Sequence, residues 1–214
     1  GDVDAAQTLR TVQQLFGPIQ ARTLPERQNL AEPQVRAPAR AETRAVTHQP
    51  LLALGYRVPA LEKLDDTLPY ALDVLADILS GNSASRLDKN LVRGKEAALD
   101  VGASYDMFSR GPALFTLVGM PAGHTDVAQL QKLLEAEIAD IARHGIGAEE
   151  LARVHTRMAA SEIYARDSMS AQASLMGQLQ TRGFSYRDEA ELRRRLQSVD
   201  AAQVQAAARL LTPE

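Results

Sequence analysis

The side chains best suited to chemistry here are four histidines, a set of carboxylates and a few serines, and their spacing decides what they could do. Zinc takes three or four ligands, and two on one helix stand four positions apart so that both face the metal. His48, His124, His144 and His155 do not meet that pattern, because neither H-E-x-x-H nor its inverse H-x-x-E-H occurs. His155 also lies between Arg153 and Arg157, whose charges repel a cation. There is no G-x-S-x-G elbow, and the serines near Gly81 have no base partner at sequence level. Gly81 and Gly94 stand too far apart, and follow helical patterns, to cradle a phosphate. The absence of cysteine excludes thiolate zinc clusters, disulfides and a cysteine nucleophile. Arg193-Arg194-Arg195 is compensated by Asp188, Glu189 and Glu191 and reads as a solvated face. By residue chemistry alone, this is a domain without a self-sufficient active site.

The charge balance narrows the partners further. With 24 Lys+Arg against 27 Asp+Glu in 214 residues, no basic excess is available to hold a polyanion, so no nucleic acid is expected. No apolar run approaches the ~20 residues that span a bilayer. Gly1-Asp2-Val3-Asp4 is acidic and polar, unlike a leader with a basic stretch before an apolar one.

The elements that must position these residues follow from apolar spacing. Asp4 is placed to cap a helix carrying Leu9, Val12, Leu15 and Phe16, with Gln7 completing a capping box and Gly17-Pro18 stopping it. Pro25, Pro33 and Pro38 among charged residues predict an extended connector over about residues 22–42. Two strand-like runs follow, 43–49 and 51–58, on either side of Pro50. Pro69 opens a helix with Tyr70, Leu72, Leu75, Ile78 and Leu79 as core positions, ending at Ser80-Gly81-Asn82. A second helix from about Ser83 carries Leu87, Leu91 and Val92 and frays at Gly94. Residues 99–108 and 113–120 read as an antiparallel hairpin.

The remainder is helical. One helix covers 126–143 and stops at Gly145, and another runs from 148 to about 182 with a bend expected at Arg166-Asp167-Ser168. Short helices at about 188–197 and 201–211 follow, the last capped by Asp200. Strand pairs separated by helices predict an α+β two-layer sandwich, a mainly antiparallel sheet covered by helices.

Four stretches carry a family resemblance. They are Gly1-Asp2-Val3-Asp4 with its helix and Phe16-Gly17-Pro18-Ile19; Leu54-Gly55-Tyr56-Arg57-Val58-Pro59-Ala60; Ala71-Leu72-Asp73-Val74-Leu75-Ala76-Asp77-Ile78-Leu79-Ser80-Gly81 running through Ser85-Arg86-Leu87 to Leu91-Val92-Arg93; and Val199-Asp200 with the helix to Pro213-Glu214. Together these resemble the second half-domain of the pitrilysin/insulinase-type zinc peptidases, the inverzincins, in their bacterial processing-peptidase-like branch. The likeness spans nearly the whole chain, so residues 1–214 are expected to form a single non-metal half-domain of a larger polypeptide.

The resemblance implies a division of labour. In that family the zinc ligands and the glutamate base sit in the preceding half-domain, so no catalytic or metal residue is expected in this chain, which alone should be inactive. Zinc is the cofactor of that other half, which is the expected partner together with a peptide substrate bound in a closed chamber. This half would supply chamber wall and inter-domain interface, with substrate contacts from Gly81, Asn82, Ser83 and Arg86. Arg93 matches the arginine of the family's R-x6-Y pattern, but Asp100 stands where the tyrosine should be, so an oxyanion donor is missing. Arg93 is accordingly expected to pair with nearby carboxylates, the alternative being a substrate contact alongside Gly81, Asn82, Ser83 and Arg86. The alternative is a domain of an inactive homologue that scaffolds a partner; an unrelated α+β binding module is a third reading. Self-association through an exposed apolar surface and a periplasmic or cell-envelope location in a bacterium complete the expectations.

Overall fold

The computed structural model describes residues 2–23, 25–26 and 38–212. The chain divides into two units, Gly1–Glu42 and Thr43–Glu214. In the first, the Asp4 carboxylate accepts the Gln7 backbone N–H at 2.6 Å and starts helix α1 (Ala5–Phe16). The apolar stripe of α1 is real but uncovered: Leu9, Val12, Leu15 and Phe16 are all exposed. The proline-rich connector falls in large part outside the described residues.

The second unit departs from expectation at its start. Residues 43–49 form no strand; they run exposed, with the Thr47 hydroxyl donating to the Gln49 carbonyl at 2.8 Å. That local bond competes with a ladder, and Pro50 brings no N–H to one. Strand β1 (Leu52–Val58) begins just beyond. Pro69 sits in the first turn of α2 (Leu68–Ser80), whose core positions Tyr70, Leu72, Leu75, Ile78 and Leu79 are all buried. The helix expected from Ser83 winds as a π-helix over Asp88–Gly94, closed by Lys95 N–H donating to the Asn90 carbonyl. Gly94 permits the wide turn, since a Cβ there would lie 2.9 Å from the Lys89 carbonyl oxygen. The Asn90 amide then reaches across to Glu137 at 2.8 Å, and Leu91 stays buried.

Strands β2 (Ala98–Tyr105) and β3 (Ala113–Pro121) form the expected hairpin, with β2 ending early because Asp106 turns the chain by accepting the Phe108 N–H. Among the described residues all pairing is antiparallel and the order is β1-β3-β2, so the last of these three strands in sequence is the central one. Helix α3 (Val127–His144) starts at a complete Asp126/Gln129 capping box and stops at Gly145, whose φ of 74° suits glycine. The long helical run breaks outright into α4 (Ala148–Arg166) and α5 (Met169–Arg182), because the Ser168 hydroxyl accepts the Ala171 N–H and starts a new helix. Helices α6 (Glu189–Gln197) and α7 (Ala201–Leu210) close the chain, the latter at an Asp200/Gln203 capping box.

The core lies between one sheet face and α2, α3 and α7. Leu52, Val58, Phe115 and Leu117 point into it. Gly119 lets α3 approach closely: a Cβ there would stand 2.9 Å from Leu130 Cδ2. The opposite face is different. Ala53, Gly55, Leu114 and Ser104 are exposed there, and Thr116 and Val118 are half-buried. This is the α+β arrangement expected from the sequence, an antiparallel sheet with helices on one side.

Candidate functional site

The segment from Gly81 to Arg93 carries the residues singled out in the sequence. Gly81 ends α2, its N–H donating to the Asp77 carbonyl at 2.8 Å. A Cβ at this position would fall 2.3 Å from Asp77 Oδ1, so no larger residue fits without displacing that carboxylate. The following turn satisfies itself: Asn82 N–H donates to the Ser85 hydroxyl at 2.9 Å, and the Asn82 side-chain oxygen accepts the Ala84 N–H at 2.7 Å. Ser85, buried beneath it, donates onward to the Asp77 carbonyl. Asn82 and Ser83 remain exposed on a turn held in one shape.

The two arginines hold this turn from either side. Arg93 donates through Nε to Asp88 at 2.9 Å and through a terminal nitrogen to the Ser83 carbonyl. That is the carboxylate pairing expected for it, and Asp100 lies exposed on β2. Arg86 is drawn inward: Nε and one terminal nitrogen grip Glu150 at 2.8 and 2.9 Å, the other meets Asp140 at 2.8 Å, and the fork also reaches the Gly145 carbonyl. The Glu150 hydrogen bond, more than any other contact, raises the Arg86 pKa. Arg86 therefore ties the α2–π-helix turn to the end of α3 and the start of α4.

Metal chemistry finds no foothold among the described residues, where no three histidine or acidic side chains converge on a position fit for a cation. His48 and His124 are exposed, and His144 Nδ1 lies 2.9 Å from Asp140 at the end of α3. His155 Nε2 is buried without a hydrogen-bond partner, and burial lowers its pKa. Among the described residues, then, no set of side chains fits zinc ligation.

One polar group was not flagged by spacing. Asp73 lies on α2 among apolar positions, and burial first, then the neighbouring Asp106, push its carboxyl up to about 6 against the lowering effect of Arg157. One turn further, Asp77 pairs with Arg157 of α4. The sequence signal was an acid at each of two positions on a helix face otherwise made of Tyr70, Val74 and Ile78; the arginine that answers Asp77 lies 80 residues on.

Residues 1–158 match the family described as the peptidase M16 inactive domain. Since that is most of the 214 residues, the chain belongs to this family. No curated protein matches the sequence. Among solved structures, a protease from Helicobacter pylori is 20% identical with a TM-score of 0.78, covering 98% of this chain and 50% of its own. The peptidase M16 inactive domain from Pseudomonas fluorescens is 22% identical, with a TM-score of 0.58 over 73% of this chain and 36% of its own. The periplasmic protease PqqL from Escherichia coli is 18% identical, with a TM-score of 0.63 over 98% of this chain and 24% of its own. At these identities the likeness is one of fold. This chain thus spans half the length of the Helicobacter protease. No described helix is long and apolar enough to cross a membrane.

Proposed function

We propose that this chain is the non-catalytic half of a zinc-dependent peptidase unit, closing a peptide chamber whose water-activating centre lies on a preceding half-domain. The observation that carries this reading is the two-sided character of the sheet. One face is sealed by helices, while the other presents Ala53, Gly55, Leu114, Thr116 and Val118, small or apolar groups suited to line a wall, with Arg57 and Asp100 on the same face. The turn at Gly81, Asn82 and Ser83 is the proposed peptide contact, with Arg86 and Arg93 holding it in shape. Arg93 engaged by Asp88, and aspartate rather than a phenol at position 100, fit a half that supplies surface rather than an oxyanion donor. The periplasmic assignment in PqqL's description supports a cell-envelope location for this chain as well.

The test is reconstitution. The polypeptide segment that precedes this chain is produced separately, and cleavage of a quenched fluorescent peptide is followed for each half and for the mixture. Neither half alone should cleave, and the mixture should, with loss of activity on adding a chelator. Val118→Arg, which fills the open face without touching the core, should abolish cleavage while the melting temperature of this chain holds. Full cleavage by the preceding half alone, or an unaffected Val118→Arg mixture, would overturn the reading.

A further inference from the structure

A cavity of about 550 Å³ opens in the residue 43–214 unit between α2, the end of β2, α4, α5 and α6. Its volume lies in the range of small-molecule sites. The lining is apolar in body: Met107 and Leu192 are buried, and Met158 and Leu175 pack half-buried beside them. Five carboxylates and two arginines also face it, and almost all of these are already engaged. Asp77 is paired with Arg157; Glu162 and Glu189 are both met by Arg193; Asp106 accepts from the Phe108 N–H and the Ser109 hydroxyl. Asp73 alone has neither a hydrogen bond nor an ion pair among the described residues.

That combination selects a ligand chemistry. An anion would meet an excess of carboxylates, and a purely apolar molecule would cover Asp73 and leave it without a partner, which costs free energy. An ammonium or guanidinium on an apolar body answers both demands, donating to the carboxylate and offsetting the charge of the wall while its stem covers the methionine and leucine side chains. We propose that this cavity binds a cationic amphiphile, its charged head paired with Asp73 and its apolar body against Met107, Met158 and Leu192. The source is either a free amine or the lysine or arginine side chain of a polypeptide. The inference does not depend on the peptidase reading, because binding is measured directly and without cleavage.

Isothermal titration calorimetry of the 214-residue chain with n-hexylamine, 1-hexanol and hexanoate tests it. Hexylamine should bind at one saturable site, hexanol about tenfold or more weakly, and hexanoate not at all. Asp73→Asn should reduce hexylamine affinity to that of hexanol, its folding verified by circular dichroism. In the unsubstituted protein, the carboxyl carbon resonance of Asp73 should move with hexylamine and stay put with hexanol, which secures the result should the variant fold poorly. Acetyl-Leu-Lys-Leu-amide binding more tightly than hexylamine would identify the source as a basic side chain, and the reverse order would identify a free amine. Equal affinity for hexylamine and hexanol, no loss in Asp73→Asn, or no saturable binding up to about 10 mM would overturn the proposal.

Discussion

Arg86 sits in a stretch that the family resemblance associates with substrate, and the folded chain closes its guanidinium on Glu150, Asp140 and the Gly145 carbonyl. Those partners lie 64, 54 and 59 positions away, so no local spacing announces them. Arg86→Met removes a fork that is mostly shielded from water and leaves Glu150 facing its gap, which should cost about 2 kcal/mol of unfolding free energy in urea. Arg86→Lys should recover only part, because a single ammonium cannot span both carboxylates. Asp73 gives the opposite sign. Its folded-state value of about 6 exceeds that of an aspartate in the unfolded chain, so its contribution is most favourable below about pH 4 and is lost as the pH rises through 6. Asp73→Asn should therefore raise the melting temperature at pH 7.5 and flatten the decline between pH 4 and 6.5, corresponding to roughly 2 kcal/mol. Asp73 was hidden for a simple reason: acids at positions 73 and 77 of an amphipathic repeat look like the solvent side until their neighbours are placed.

Elements were legible wherever the chain marks its own punctuation. The Asp126/Gln129 and Asp200/Gln203 boxes start their helices, and Gly145 and Gly183 stop theirs at positive φ, because these signals act over four residues or fewer. Residues 43–49 misled because β-branched and apolar residues alone do not supply a ladder; a strand exists only where a neighbour accepts its hydrogen bonds. The π-helical turn was invisible because its register depends on Asn90 reaching Glu137 on another helix. The seam between α3 and the sheet offers a direct test at this scale. Gly119→Val forces a side chain against fully buried Leu130 and Leu134, and should destabilise the domain by about 2 kcal/mol in a denaturant titration.

At the level of the whole molecule, the family and the α+β class could be reached from the sequence, while the open sheet face and the cavity could not, since both arise from which surfaces the helices leave uncovered. An isolated chain presenting Leu114, Ala53 and Val118 to water should self-associate, and light scattering during size-exclusion should show the mean mass rising with concentration and falling back in Val118→Arg. The order β1-β3-β2 carries a further consequence for synthesis. Since β1 and β2 share no ladder and each pairs only with β3 among the described residues, a nascent chain leaving the ribosome cannot complete any sheet until residue 121 has emerged. Through that interval Leu52–Val58 waits without its mate, and a chaperone that shields short apolar strands would find its longest window here.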